Sequence, residues 1–177
     1  QHARQELLDL SQKTKKWTYK EIFSEKPGYY ESLFDREGLV FFIFENDTLR
    51  FWTDNTVTVD NHLSRNNFSN RIVKLPSGWF EVIKFPAGKK ALFALVLLKR
   101  EYPYQNKYLR DAFQRDFNIG RGGSITIDRY KIGQQQNIVS SISNGDVYSK
   151  EGEYLCTLVF SLANSGNPLM FYLTLVL

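Results

Sequence analysis

Few residues in this chain could do chemistry. Imidazole comes only from His2 and His62, and thiol only from Cys156. Two histidines with no cysteine cluster do not make a zinc centre. Cys156 lies in Leu-Cys-Thr-Leu, an apolar setting that suits a small buried side chain. As a nucleophile it would need an aligned histidine, and nothing in the sequence brings His62 to it. Asp54 and Asp128 could act as paired carboxylates only with partners that the sequence does not show. "GRGGS" at 120–124 lacks the Lys-Ser or Lys-Thr pair that a phosphate-cradling loop requires, so it reads as a flexible loop. No G-x-S-x-G elbow occurs. The expectation is no catalytic residue, no metal ligand and no cofactor.

Binding chemistry is better represented. One stretch is Trp52-Thr53-Asp54-Asn55; the other is "KREYPYQNKYLRDAF", Lys99 to Phe113. Rings, amides and guanidinium groups converging near a sheet can line a small-molecule pocket. The candidates are Trp52, Asp54, Asn55, Arg100, Tyr102 and Tyr104. The plainer reading of Tyr102 is structural: a tyrosine at a strand exit covers the core with its ring and satisfies its hydroxyl at the edge.

These residues need elements to hold them. Val40, Phe42 and Phe44 alternate with Leu39, Phe41 and Ile43, so the strand is apolar on both faces and must be covered on both. Glu45-Asn46-Asp47-Thr48 supplies a turn. In the following strand, alternation puts Leu49 and Phe51 on one face and Arg50, Trp52 and Asp54 on the other. Residues 55–71 are Asn-rich and aperiodic, hence a loop. "RIVKL", "WFEVIKF" and "KALFALVLLKREY" follow, joined by "PSG" and "PAGK", as an antiparallel meander with Ala91–Leu98 central. Tyr104–Phe117 carries a stripe predicting a helix. "SITIDRYKI" alternates as a short strand, "VYSKEGEYLCTLVFSL" reads as a hairpin turning at Glu151-Gly152, and "LMFYLTLVL" is either a last strand or the first half of a membrane helix.

At the other end, residues 3–24 are predicted helical. Ala3, Leu7, Leu10, Thr14 and Trp17 step at heptad spacing and form one narrow stripe. That stripe either docks on its own domain or forms a dimer seam; three repeats do not decide. Pro27-Gly28 ends the helix. The predicted organisation is an N-terminal helix, 1–26, followed by a single α+β domain, 27–177, built on one central antiparallel sheet.

The totals agree with such a domain. A chain of 177 residues buries roughly 70% of its unfolded surface and needs no staples. Aromatic residues make up 15%, which favours β-rich packing. A net charge of +4 with both signs scattered is not the concentrated basic face that nucleic acid demands. No window reaches the roughly 18 apolar residues of a membrane span. The abrupt opening on "QHARQ" reads as a piece of something longer.

"LVFFIFENDTLRFWTDN", "GWFEVI" and "ALFALVLLKREYPYQNKYLRDAFQRDFNI" together resemble the extracytoplasmic sensor region of certain bacterial membrane histidine kinases. In that family a hairpin of the form "-I-Y-ND-L-YW-DN-" follows a helix leaving the first membrane span, and a "K-EYPYQN-YL---F" segment comes later. The resemblance covers about residues 30–160. It implies a PAS-like or Cache-like input domain for two-component signal transduction, in the periplasm between two membrane helices. The first helix would continue one span, and "FYLTLVL" would lead into the next. It further implies a small-molecule or protein stimulus and a homodimer through the N-terminal helix. No phosphoacceptor-histidine motif and no ATP-lid glycine boxes are present, so catalysis would belong to the parent kinase. The rival from another class is a freestanding periplasmic or surface protein binding a small molecule or carbohydrate, with Trp17, Trp52 and Trp79 as stacking platforms, although Trp79 follows a tight turn into a strand and so reads as core.

Overall fold

A computed structural model of the chain describes residues 2–57, 68–117, 123–132, 145–149 and 151–160. They fall into two compact units, Gln1–Gln114 and Arg115–Leu177, whereas the sequence alone suggested one boundary after residue 26.

The first unit opens with three helices: α1 (His2–Lys13), α2 (Tyr19–Glu25) and α3 (Tyr29–Glu37). The single long helix expected over 3–24 is therefore two. Thr18 is the reason. Its hydroxyl accepts from the Glu21 backbone N–H, and the Glu21 carboxylate accepts from the Thr18 backbone N–H at 2.7 Å. This capping box starts a new helix and satisfies amide donors that a continuous helix would have bonded internally. Lys13 ties the two pieces, reaching Asp9 at 2.8 Å and Glu25 at 2.5 Å.

Six strands follow in this unit: β1 (Leu39–Glu45), β2 (Thr48–Trp52), β3 (Ile72–Leu75), β4 (Gly78–Ala87), β5 (Lys90–Arg100) and the two-residue β6 (Ala112–Phe113). They form one antiparallel sheet in the order β2-β1-β5-β4-β3, with β6 added to the end of β5. β5 is central, as its two-sided apolar pattern predicts. The β1–β2 turn places Asn46 and Asp47 at φ 50° and 62°. Both positive angles match the right-handed twist of a two-residue hairpin.

β1 is buried on both faces. Leu39, Phe41 and Ile43 meet Leu7 and Leu10 of α1, Ile22 of α2, and Tyr30 and Leu33 of α3. Val40, Phe42 and Phe44 join Phe80, Val82, Phe93, Leu95 and Leu97, with Val57 and Phe68 laid across that second face. Burying a large apolar side chain is worth about 1.5–3 kcal/mol, so the two layers together fix the sheet between helices and loop.

One pairing detail overturns the expected facing of β2. Ile43 pairs with Phe51, but Phe44 pairs with Leu49, so Arg50 is an extra residue in a bulge. Leu49 and Phe51 thus lie on opposite faces: Phe51 joins the helix-side core and Leu49 the other. Simple alternation fails wherever a strand holds one residue more than its partner.

The α1 stripe packs on its own unit. Leu7, Leu10 and Thr14 are buried, Ala3 packs against the helix-side core, and Trp17 is 40% exposed.

The second unit contains β7 (Gly123–Thr126), β8 (Asp146–Tyr148) and β9 (Tyr154–Phe160), antiparallel in the order β7-β9-β8. Within the hairpin expected over 147–162, β8 and β9 pair antiparallel, and the Ser149 N–H donates to the Glu153 carbonyl at 2.8 Å; residues 150, 161 and 162 lie outside the described residues. The strand expected over "SITIDRYKI" stops at Thr126, and residues 129–132 form a turn. The "LMFYLTLVL" segment lies outside the described residues. The described residues are thus α+β, with three α-helices and two antiparallel sheets where the sequence suggested one.

Candidate functional site

The Trp52–Asn55 stretch is held by β1. The Phe41 N–H donates to the Thr53 hydroxyl at 3.0 Å, and the Thr53 N–H donates to the Phe41 carbonyl at 3.2 Å. The hydroxyl stands where a backbone carbonyl would have continued the ladder, so the chain can turn away from the sheet at this point. Beyond it, the Trp52 Nε1 donates to Asn55 Oδ1 at 2.6 Å and the Thr56 N–H to Asp54 Oδ1 at 2.6 Å. Trp52 stays 45% exposed. The three candidates here, Trp52, Asp54 and Asn55, therefore form one ordered turn with an open indole face and an exposed amide.

Arg100 closes β5, and Tyr102 and Tyr104 lie in the segment that follows it. Trp52 aligns through Phe42 with Phe93 of β5, and Arg100 is seven residues further along that strand. At about 3.3 Å per residue, that separates the two groups by ~20 Å along the strand axis. The Arg100 guanidinium lies 5.1 Å from the Phe34 ring centre and 4.0 Å from Asp35. Tyr102 is half-buried, and Tyr104 is 85% exposed. The six candidates form two patches.

No α-helix forms over Tyr104–Phe117. The Asp111 carboxylate accepts from the Tyr102 N–H at 3.0 Å and from the Gln105 side-chain amide at 3.1 Å. Asn106 Oδ1 accepts from the N–H groups of Tyr108 and Leu109 at 2.7 and 2.8 Å. These short polar side chains take the donors that a helix would have used. After them, Ala112 and Phe113 pair with Arg100 and Lys99 as β6, and only Arg115–Phe117 makes a 3-10 turn. The result is a shaped loop, 101–111, at the end of the central strand.

Sequence reasoning missed two charged clusters. In the first unit, Glu101 receives Lys74 on one carboxylate oxygen. Trp79 Nε1 at 3.1 Å and Lys99 Nζ at 3.2 Å reach the other. Burial pushes this carboxyl upward, but the three hydrogen bonds outweigh it and hold the group below the usual carboxylate range. The Lys99-x-Glu101 spacing, which puts both on one strand face, was the available signal. In the second unit, Asp146 accepts from Lys131 at 2.8 Å and from Thr157 Oγ1 at 2.6 Å, and the Tyr154 hydroxyl lies 2.8 Å from Thr157. Burial raises the Asp146 carboxyl, and its hydrogen bonds bring it net below its ordinary value. Satisfied clusters like these hold strand ends together.

Glu81 differs in sign. It is buried on the helix-facing side of β4 and accepts from Arg71 Nε at 3.0 Å. Burial dominates and raises its pKa, against the opposing pull of Arg71 and Arg4.

Catalytic arrangements do not assemble from the described groups. His2 Nε2 lies 3.0 Å from Glu37 on the helix layer, and His62 lies outside the described residues. Asp128 accepts from the Tyr130 N–H at 3.0 Å in a local turn. Among the described residues, no set of three or more His, Cys, Asp or Glu could hold a metal ion. Of the glycine-rich stretch, residues 120–122 lie outside the described residues and Gly123 begins β7. Among the tryptophans, Trp79 is buried in the core and bonded to Glu101, so it is no stacking platform; Trp17 and Trp52 keep a face open. No described helix is long and apolar enough to cross a membrane. No family model, curated protein or solved structure compared with this chain matches it.

Proposed function

We propose that this chain is the extracytoplasmic input domain of a membrane-bound sensor histidine kinase, PAS-like or Cache-like in fold and periplasmic. The observation that supports this reading best is the coupling of α1 to the sheet. Leu7 and Leu10 are buried against the layer that contains Leu92 and Ala94 of the central strand. The antiparallel order β2-β1-β5-β4-β3 behind preceding helices is compatible with that fold group. A helix continuing from a membrane span would then be seated directly on the strand that links both sides of the sheet.

Under this reading a small molecule or partner protein binds the Trp52–Asn55 turn or the Arg100–Tyr104 end. The bound state favours one seating of α1 over another, and the membrane helices follow. Reversing a 1:99 equilibrium takes a differential affinity of about 5.5 kcal/mol, so the stimulus must contact the two states differently. Phosphotransfer would belong to the parent kinase. Because the inner stripe of α1 is occupied, a homodimer through this helix would use its outer side, where Leu8 is 39% exposed.

The reading frame around residues 1–177 tests the proposal. Apolar membrane-length segments on both sides and a kinase core beyond them support it; a stop codon directly after Leu177 overturns it. Isothermal titration of candidate metabolites with Trp52→Ala and Arg100→Ala locates the site. Because the two patches are apart, only one of these variants should lose binding.

A further inference from the structure

The loop 101–111 combines features that its role in closing β5 does not require. Tyr104 and Tyr108 are 85% and 80% exposed, and Leu109 is 40% exposed. Lys107 and Arg110 between and beside them are exposed as well, with the Lys107 ammonium 4.7 Å from the Tyr108 ring centre. The two acidic residues that bracket the loop are half-buried and engaged: Glu101 with Lys74, Trp79 and Lys99, and Asp111 with the Tyr102 N–H and Gln105. Its most exposed side chains are therefore aromatic, apolar and cationic, and both carboxylates are already held in hydrogen bonds. Asn106 and Asp111 fix its backbone, so presenting these side chains to a partner costs little further ordering.

Position in the fold narrows the partner. α1 starts beside Glu37, whose neighbour Gly38 accepts from Leu97, and it ends where Lys90 donates to the Thr14 carbonyl at 3.0 Å. β5 runs the opposite way, from Lys90 to Arg100, and then enters the loop. The start of α1 and the loop thus share one end of the sheet. Tyrosine rings at headgroup depth with cations beside them are the side chains that settle at a lipid–water boundary.

We infer that the 101–111 loop is a contact for an anionic bilayer surface, with Tyr104, Tyr108 and Leu109 entering the headgroup layer and Lys107 and Arg110 meeting lipid phosphates. The orientation argument rests on the sensor reading; the loop chemistry does not.

Co-sedimentation of the chain with vesicles tests it, using phosphatidylcholine alone and phosphatidylcholine mixed with phosphatidylglycerol. The chain is expected to bind the mixed vesicles and to bind less to the neutral ones. Lys107→Gln with Arg110→Gln should weaken binding about fivefold for each cation removed, the worth of about 1 kcal/mol per Lys or Arg near an anionic surface. Tyr104→Ser with Tyr108→Ser should weaken binding to both vesicle types. Lys15→Gln with Lys16→Gln, at the opposite end of α1, should change nothing. No binding to mixed vesicles overturns the inference, as does an equal loss in the Lys15/Lys16 control. Binding of soluble polyglutamate at the loop without vesicle binding would make it an acidic-protein site and overturn the bilayer contact. Vesicle binding through the loop stands or falls independently of the reading frame, which alone decides the sensor proposal.

Discussion

Replacing Thr53 with valine should cost far more than its small change in shape suggests. Thr53 is buried, and its hydroxyl is the acceptor for the Phe41 N–H in the middle of a strand that is itself inaccessible to solvent. Valine keeps the volume and removes the oxygen. The Phe41 N–H then has no acceptor and no route to water, a cost of about 1–3 kcal/mol. Thr53→Ser keeps the acceptor and loses one methyl, which costs about 0.8 kcal/mol. Denaturant unfolding of the two variants separates the effects: a lower midpoint at unchanged slope for Thr53→Val, and a smaller shift for Thr53→Ser. For a unit of about this size, ~1 kcal/mol lowers the thermal midpoint by ~4 °C or more. The Trp52–Asn55 turn hangs from this bond, so Trp52 fluorescence should report loosening in the valine variant alone. Equal stability of the two variants would refute the assigned role of the hydroxyl.

Three further outcomes follow from the same geometry. The Glu81 carboxyl is raised above its usual 4.5, so the folded state holds a proton that the unfolded state releases. Its contribution is therefore full below the ordinary carboxylate pKa and is lost as pH rises through the folded value; Glu81→Gln should flatten the fall in unfolding midpoint above about pH 4, and superimposable profiles would contradict this. Phe68 is fully buried among the rings of Phe42, Phe44 and Phe93, so Phe68→Ala should lose about 3–5 kcal/mol in equilibrium unfolding, and a loss below ~1 kcal/mol would remove it from the core. A Cβ on Gly78 would lie 2.2 Å from the Lys99 carbonyl oxygen, whereas one on Gly88 meets nothing within 4 Å. Gly78→Ala should therefore prevent stable folding while Gly88→Ala costs about 1–2 kcal/mol for its left-handed angle, and soluble yield with circular dichroism distinguishes them.

Much of the sheet was readable because β1 and β5 carry their burial in their composition. Leu39–Phe44 could be divided into two faces by counting alone, and the structure puts each set in its own layer. The same counting misplaced Leu49 against Phe51, because a bulge depends on what the partner strand does and leaves no mark in local periodicity. The first helix was overextended for a different reason: its apolar stripe runs past Lys13, and the Thr18–Glu21 box that interrupts it is a short-range polar signal. At 104–117 the apolar spacing was real, yet Asn106 and Asp111 compete for the same backbone donors and win. Of the candidate site, the residues were identifiable by type but not their separation, since only strand register shows that Trp52 and Arg100 lie far apart.

The Arg50 bulge has a consequence for solubility. The outermost strands are β2 and β3, of five and four residues. A long, flat outer strand offers its open ladder to a second copy and seeds fibrillar growth. Here β3 is too short to template much, and β2 is kinked by an inserted arginine whose side chain is exposed. Removing Arg50 would straighten that border, so deleting this one residue from the strand that leads into the Trp52–Asn55 turn should promote self-association, read as a concentration-dependent rise in apparent mass.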